Sequence, residues 1–264
     1  MPSVPYWHVD AFADRPFAGN QAAVMVLEDW PDDAVLQAIG EENNFAETAF
    51  LVRDTSGAAD WELRWFTPTC EIRLCGHATL ASGHVLLGLE PHAKAVTFRT
   101  RKAGILTVRR GGAALELGLP TIPTSRRDFP EAVALLGANP LETWRSPDGY
   151  NIFLFADERE VRGLAPDLRG LAALGDDQFI VTAQGRETDM VSRVFVPGGG
   201  VDEDSVTGSA HAALTWFWSE RLGKEELTAF QASRRGGSLI CRRAGERAWL
   251  GGPCVTVVEG RFAF

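Results

Sequence analysis

The chain predicts an α+β fold of two similar lobes, each a mostly antiparallel or mixed β-sheet rolled around a central apolar helix. Three observations lead there. The first is an internal repeat: Arg64-Trp65-Phe66-Thr67-Pro68 runs into Cys75-Gly76-His77-Ala78, and Arg193-Val194-Phe195-Val196-Pro197 runs into Thr207-Gly208-Ser209-Ala210. The copies lie about 130 residues apart, close to half of the 264-residue chain, so one ancestral unit is used twice. The second is a series of short β-rich runs whose connections are mostly too short to be crossovers. The third is a pair of stretches, Ala78 to Leu87 and Ala210 to Trp218, that are apolar nearly all the way round and read as helices with protein on every side.

In the first lobe, expected over 1–118, strands are placed at Tyr6 to Phe12, Ala22 to Leu27, Ala46 to Val52, Trp61 to Thr67, Ala95 to Thr100, Gly104 to Arg109 and Ala113 to Gly118. Each is β-rich and closed by Gly, Pro or Asp. The helix Asp32 to Asn43 starts on acid and turns Val35, Leu36 and Ile39 to one side. The second lobe, expected over 119–264, holds strands at Ile152 to Phe155, Gln178 to Ala183, Val191 to Val196, Leu227 to Gln231, Leu239 to Arg242, Arg247 to Leu250 and Val255 to Val258. Its short helices are Pro130 to Leu136 and Pro166 to Leu174. Leu119 to Pro130, with three prolines and no period, is the expected hinge. Two such lobes imply a cleft, and a shared ligand is expected there.

Hydrophobic residues at 45% and charged residues at 23% describe a globular protein able to bury a core in each lobe. A net charge of −9 repels phosphate backbones, and Arg126-Arg127, Arg234-Arg235 and Arg242-Arg243 are too short for a nucleic-acid stripe. The start, Met1 to Trp7, lacks the pattern of a secretory leader, and no run approaches the length of a membrane span. A cytoplasmic protein that binds neither membrane nor nucleic acid is expected. Cys70, Cys75, Cys241 and Cys254 form no C-x-x-C pair and are expected to be reduced. Cys70, Cys75 and His77 lack further ligands at supportive spacing, so no metal is expected.

Cys75-Gly76-His77 and Thr207-Gly208-Ser209 each open a helix, presenting backbone N–H groups and the positive end of its dipole. Together they suit a carboxylate, with Gly76, His77, Gly208 and Ser209 as binding residues. The plain alternative is that His77 and Ser209 merely cap their helices. Glu47 lies in a strand apolar on both faces, sharing one with Phe45, Ala49 and Leu51. A buried carboxylate tends toward a raised pKa, the condition for a group that gives and takes protons; the alternative is a strand-edge Glu bonding a backbone N–H. Asp202-Glu203-Asp204 reads plainly as a solvated acidic loop, although Asp204 is near enough in sequence to orient Ser209, or to reach His77 across the cleft. Gly198-Gly199-Gly200 fits no nucleotide-binding spacing. Phe17, Trp65 and Phe195 are candidates for a partly apolar pocket and equally for core.

Asp10-Ala11-Phe12 with Pro16-Phe17 and Gly19-Asn20, Glu47-Thr48-Ala49-Phe50, Cys75-Gly76-His77-Ala78-Thr79, and Asp202-Glu203-Asp204 through Thr207-Gly208-Ser209-Ala210-His211 resemble, in order, the PhzF (phenazine biosynthesis-like) isomerase family. The likeness runs from about Tyr6 to Glu259. It implies the two-lobed diaminopimelate-epimerase-type fold, a homodimer and no cofactor. It makes Glu47 the general acid/base that moves a proton between carbons of a small unsaturated acid, and places His77, Asp204 and Ser209 in the polar shell that binds and orients the substrate. Related epimerases use two thiols, each immediately before the Gly of its motif. Cys75 holds the first such place and Thr207 the second, which argues against a two-thiol racemase.

Three alternatives stand beside the isomerase: an epimerase working through Cys75 alone, a binding protein for small carboxylates without turnover, and a hydrolase using Ser209, His77 and Asp204. The last lacks a G-x-S-x-G elbow.

Overall fold

Backbone pairing in the computed structural model, which describes residues 3–112 and 114–264, follows the repeat read from the sequence. Met1, Pro2 and Ala113, the expected first residue of one strand, lie outside the described residues. The first elements are β1 (Ser3–Ala11), β2 (Asn20–Val26), α1 (Asp33–Asn43), β3 (Glu47–Arg53), β4 (Trp61–Phe66), β5 (Glu71–Ile72), α2 (Gly76–Leu89), β6 (Ala95–Thr100), β7 (Ile105–Gly111) and β8 (Ala114–Pro120). There follow β9 (Ser125–Arg126), α3 (Pro130–Leu136), β10 (Glu142–Arg145), β11 (Tyr150–Leu154), α4 (Glu158–Gly163), α5 (Leu168–Ala172), β12 (Gln178–Gln184), β13 (Met190–Val196) and β14 (Val201–Asp204). The chain ends with α6 (Gly208–Leu222), β15 (Glu226–Gln231), β16 (Gly237–Ala244), β17 (Arg247–Gly252) and β18 (Cys254–Ala263).

The chain divides into two compact units: Met1–Leu119 with Gly251–Phe264, and Pro120–Leu250. The sequence reading gave the last strand to the second lobe. Its backbone instead pairs antiparallel with β1, from Ser3 opposite Ala263 to Ala11 opposite Cys254, so the chain's end completes the first unit's sheet.

Within the first unit β2 runs parallel to β3, β3 antiparallel to β4, β4 parallel to β6 and β6 antiparallel to β7. Within the second, β11 runs parallel to β12, β12 antiparallel to β13, β13 parallel to β15 and β15 antiparallel to β16. The two ladders have one topology. In each, the apolar helix lies in the connection between the second parallel pair: α2 between β4 and β6, α6 between β13 and β15.

Both helices are buried along most of their length, as their all-round apolarity demands. α2 packs on β1, β2, β3, β6 and β7, and α6 on β11, β15 and β16. On the first sheet a second layer forms where Leu36 and Ile39 of α1 meet Met25, Phe50 and Phe66. In the second unit α3, α4 and α5 cover Phe153, Phe179 and Phe195. Trp65 and Phe195 are therefore core, whereas Phe17 is 78% exposed. α4 was not anticipated, because six residues show no period; its start is marked by Asp157, whose carboxylate accepts from the Glu160 N–H.

The repeated arginine has a mechanical role in each unit. Arg64 of β4, 3% exposed, grips Glu71 of β5 with Nε and Nη2 at 2.8 and 2.9 Å. Arg193 of β13 grips Glu203 of β14 with the same two nitrogens at 2.7 and 3.0 Å. Each bidentate bridge fastens the short strand that leads into the buried helix. The acidic run Asp202-Glu203-Asp204 is thus a strand of the ladder rather than a solvated loop.

α2 approaches β7 closely because position 83 has no side chain. A Cβ on Gly83 would stand 2.4 Å from Val108 Cγ1. Gly83→Ala is expected to cost about 1–3 kcal/mol by overpacking, and Val108→Ala in the same chain is expected to recover part of that loss. Urea unfolding of the two single variants and the double variant measures the coupling; strictly additive effects would contradict the close approach.

Candidate active site

The first unit's polar cluster forms where β2, β3 and α2 all begin. Cys75, in extended conformation, precedes α2, Gly76 is its first residue and His77 its second. Gly76 and His77 are buried at that start, where the N-cap position belongs to Cys75, whose side chain makes no capping hydrogen bond. His77 is therefore not the cap, and its ring, 3% exposed, is free to serve the cluster. β2 and β3 are parallel with Ala22 opposite Glu47, which brings Asn20, Gln21 and Glu47 to one end of the pair.

The imidazole is held at both nitrogens. Nδ1 lies 3.0 Å from Asn20 Nδ2 and 3.6 Å from Cys75 Sγ. Nε2 lies 3.2 Å from the Gln21 carbonyl and 3.0 Å from Glu47 Oε2. Because the Nε2 proton is shared with that carbonyl, Glu47 Oε2 is close to the ring yet accepts no well-aligned hydrogen bond. Behind Gln21, His8 stacks on Phe45 at 4.3 Å, and Asp10, itself buried, accepts from the Phe17 N–H at 2.8 Å.

The electrostatics follow from this packing. Burial opposes the charged form of His77, while the Cys75 sulfur, where it is ionised, and the Glu47 carboxylate raise the imidazole pKa above its ordinary 6.5. Burial, reinforced by the Glu47 charge, pushes the Cys75 thiol up to about 11. At neutral pH Cys75 is thus a neutral thiol, and Glu47 is the neighbour that supports the imidazolium.

Glu47, Cys75 and His77 place one donor atom each within 4.8 Å of one another. They do not fit a single ion as arranged: the thiol meets Nδ1 and the carboxylate meets Nε2, opposite edges of one ring.

In the second unit Thr207 takes the place of Cys75 as the extended residue before α6, and Gly208 and Ser209 are buried at the helix start without a side-chain cap. Ser209 Oγ accepts from Gln178 Nε2 at 3.4 Å. Asp204 accepts from the Thr207 hydroxyl at 2.6 Å, so it braces the approach to the helix. Gln231, fully buried, completes that brace: its Oε1 accepts from the Thr207 N–H at 2.8 Å and its Nε2 donates to the Asp204 carbonyl at 2.7 Å. His211 differs from His77. Its Nδ1 lies 2.8 Å from the Thr207 carbonyl, and burial depresses its pKa to about 4, so it stays neutral.

Of the site residues expected from sequence, the structure therefore gathers Glu47, Gly76 and His77 in the first unit and Asp204, Gly208 and Ser209 in the second. Asn20, Gln21, Gln178 and Gln231 received no role from sequence, although Asn20 stood in a recognised motif. An amide carries no charge and no reactivity, and only its partners reveal its work.

Comparison with known proteins defines the class first. The fold is shared with a hydroxyproline epimerase of Agrobacterium vitis, at a TM-score of 0.61 and 12% identity over 98% of this chain and 92% of that one. It is shared far more closely with a crystal structure from Enterococcus faecalis described as phenazine biosynthesis protein, PhzF family: TM-score 0.91, 40% identity, all of both chains covered. A protein of Pseudomonas aeruginosa named as an uncharacterized isomerase is 45% identical over 259 residues, 97% of each chain. The model of the phenazine biosynthesis-like family, PhzC-PhzF, matches residues 9–260. The chain belongs to that family.

The raised pKa of His77 makes stability depend on pH. The His77 contribution is fully present below the unfolded value near 6.5 and is lost as pH rises through the higher folded value. The stability of the wild type relative to His77→Gln is accordingly expected to fall as pH rises above 6.5. At higher pH the thiols add their own dependence, Cys75 pushed up to about 11 and Cys241 and Cys254 to about 12. Urea unfolding over that rise checks this, and a constant difference would contradict a charged, paired His77.

Proposed function

We propose that the protein is a cofactor-independent isomerase that moves a proton between carbons of a small unsaturated or cyclic carboxylate, with Glu47 as the general acid/base. The observation that carries this reading is Glu47 Oε2 itself: a buried carboxylate oxygen, 3.0 Å from His77 Nε2, with no aligned hydrogen bond of its own. A carboxylate so placed can take a proton from carbon and return it without first breaking a hydrogen bond. Membership of a family whose named relatives include isomerases supports the reaction class.

In this reading a substrate carboxylate is received by backbone N–H groups at a helix start, for which Gly76 and His77 in the first unit and Gly208 and Ser209 in the second are each suited. His77 fixes Glu47 and offsets the negative charge that develops as the carbon–hydrogen bond breaks. Asp204 orients the approach to Ser209 through Thr207. The protein is further proposed to act in the cytoplasm as a homodimer. Among the described residues no helix is long and apolar enough to cross a membrane. The neutral Cys75 thiol favours neither a thiol epimerase nor a thiolate nucleophile.

The test is proton exchange into deuterium oxide, followed by NMR, for a panel of dihydro-hydroxyanthranilate and other small unsaturated and 2-amino acids. Wild type is expected to place deuterium at one carbon of a panel member, and Glu47→Gln to reduce that rate at least about 100-fold. Equal rates would remove Glu47 from the role. Saturable binding of a panel acid without exchange by either protein would favour the binding-protein reading.

A further inference from the structure

His77 needs a partner that serves it in both of its charge states, and the structure places one there. At Nε2 the two neighbours, the Gln21 carbonyl and the Glu47 carboxylate, present acceptors. Nε2 therefore keeps its hydrogen whether the ring is neutral or charged. The second proton enters and leaves at Nδ1. Whatever faces Nδ1 must donate to the neutral ring and accept from the imidazolium.

The group at that position is the side-chain amide of Asn20, 3.0 Å away and 2% exposed. Its backbone is pinned in register, with Asn20 opposite Ala11 in the β1–β2 pair. The preceding Gly19 has φ +62°, and a Cβ there would stand 2.2 Å from the Ala11 carbonyl oxygen, so neither residue can drift. A primary amide carries donors on one atom and an acceptor on the other, and a half-turn about its terminal bond exchanges them. The second neighbour of Nδ1, Cys75 Sγ at 3.6 Å, is a weak partner in either sense.

We propose that Asn20 is a positioning residue whose amide turns with the charge of His77, Nδ2 facing Nδ1 of the neutral ring and Oδ1 facing Nδ1–H of the imidazolium. His77 can then take up or release a proton at Nδ1 while its ring stays still and its Nε2–H stays on the Gln21 carbonyl, beside Glu47. The charged and titratable groups that face the ring are Glu47 from β3 and Cys75 before α2. His8 and Asp10 of β1 stand behind Gln21, and β2 offers only the uncharged Asn20 and Gln21. The consequence for turnover rests on the reading of Glu47 and His77 as the proton-moving pair, whereas the amide turn itself is measured without turnover.

The experiment is NMR of the full chain labelled with nitrogen-15, read for the coupling across the hydrogen bond between Asn20 Nδ2 and His77 Nδ1 as the ring is titrated. The coupling is expected only on the alkaline side of the His77 midpoint. In Asn20→Leu, which offers no acceptor to the imidazolium, the midpoint is expected to fall by at least one pH unit, with a folded amide spectrum as control. A coupling that persists on both sides, or is absent throughout, would overturn the turn. So would an Asn20→Leu midpoint that rises or stays, since a rise marks Asn20 as a fixed donor only. None of these outcomes depends on exchange of any panel acid, so a failure here is distinguishable from a failure of the isomerase reading.

Discussion

A guanidinium clasping a carboxylate on the next strand, buried in the first unit and half-buried in the second, is the constraint from which the rest of each unit follows. Arg64 with Glu71, and Arg193 with Glu203, each close two parallel N–H···O bonds over a loop that would otherwise swing freely between strand and helix. The guanidinium also holds the Glu71 carboxyl below the usual carboxylate range, so this pair stays ionised well into acid. Removing one partner of such a pair leaves a buried charge uncompensated, and the geometry is accordingly rigid. With the short strand fixed, the following helix must start at Cys75-Gly76 in one unit and at Thr207-Gly208 in the other. His77 and Ser209 are placed by those starts.

From a common scaffold the two units have diverged in chemistry. In the first, the residue after the helix-opening glycine is a histidine flanked by a carboxylate, and its charge is favoured. In the second it is a serine, and the nearby His211 is a neutral structural group that ties itself to the Thr207 carbonyl. The matched positions before the glycine are a neutral thiol and a threonine hydroxyl, neither a competent base at neutral pH. Under the proposed function the proton-moving role therefore falls to one carboxylate, Glu47 in the first unit.

The duplication, the two buried helices and the places of Glu47 on a strand and of His77 and Ser209 at helix starts were legible in the sequence because they rest on local patterns: a repeated strand motif, apolarity without a period, and helix-start chemistry. The allegiance of β18 was not, since pairing between Ser3–Ala11 and Cys254–Ala263 joins opposite ends of the chain and leaves no local signal. The acidic run Asp202-Glu203-Asp204 looked solvated because its partner Arg193 lies in the preceding strand and only a side-to-side bridge gives Glu203 a purpose. Asn20 and Gln231 were invisible as working residues for the same reason. Their amides act only through the groups that folding brings to them, His77 and Thr207.

The central claim is that one carboxylate, not a pair of opposed thiols, carries the proton from carbon to carbon. The most direct measurement places deuterium at the proton-donating carbon of a turned-over acid, runs the reaction in ordinary water, and counts deuterium at the accepting carbon of the product. A single base returns part of what it removed, so measurable transfer is expected, and Cys75→Ser is expected to match the wild type. Complete loss of the label, together with abolished turnover in Cys75→Ser, would contradict the account and assign the proton to the thiol.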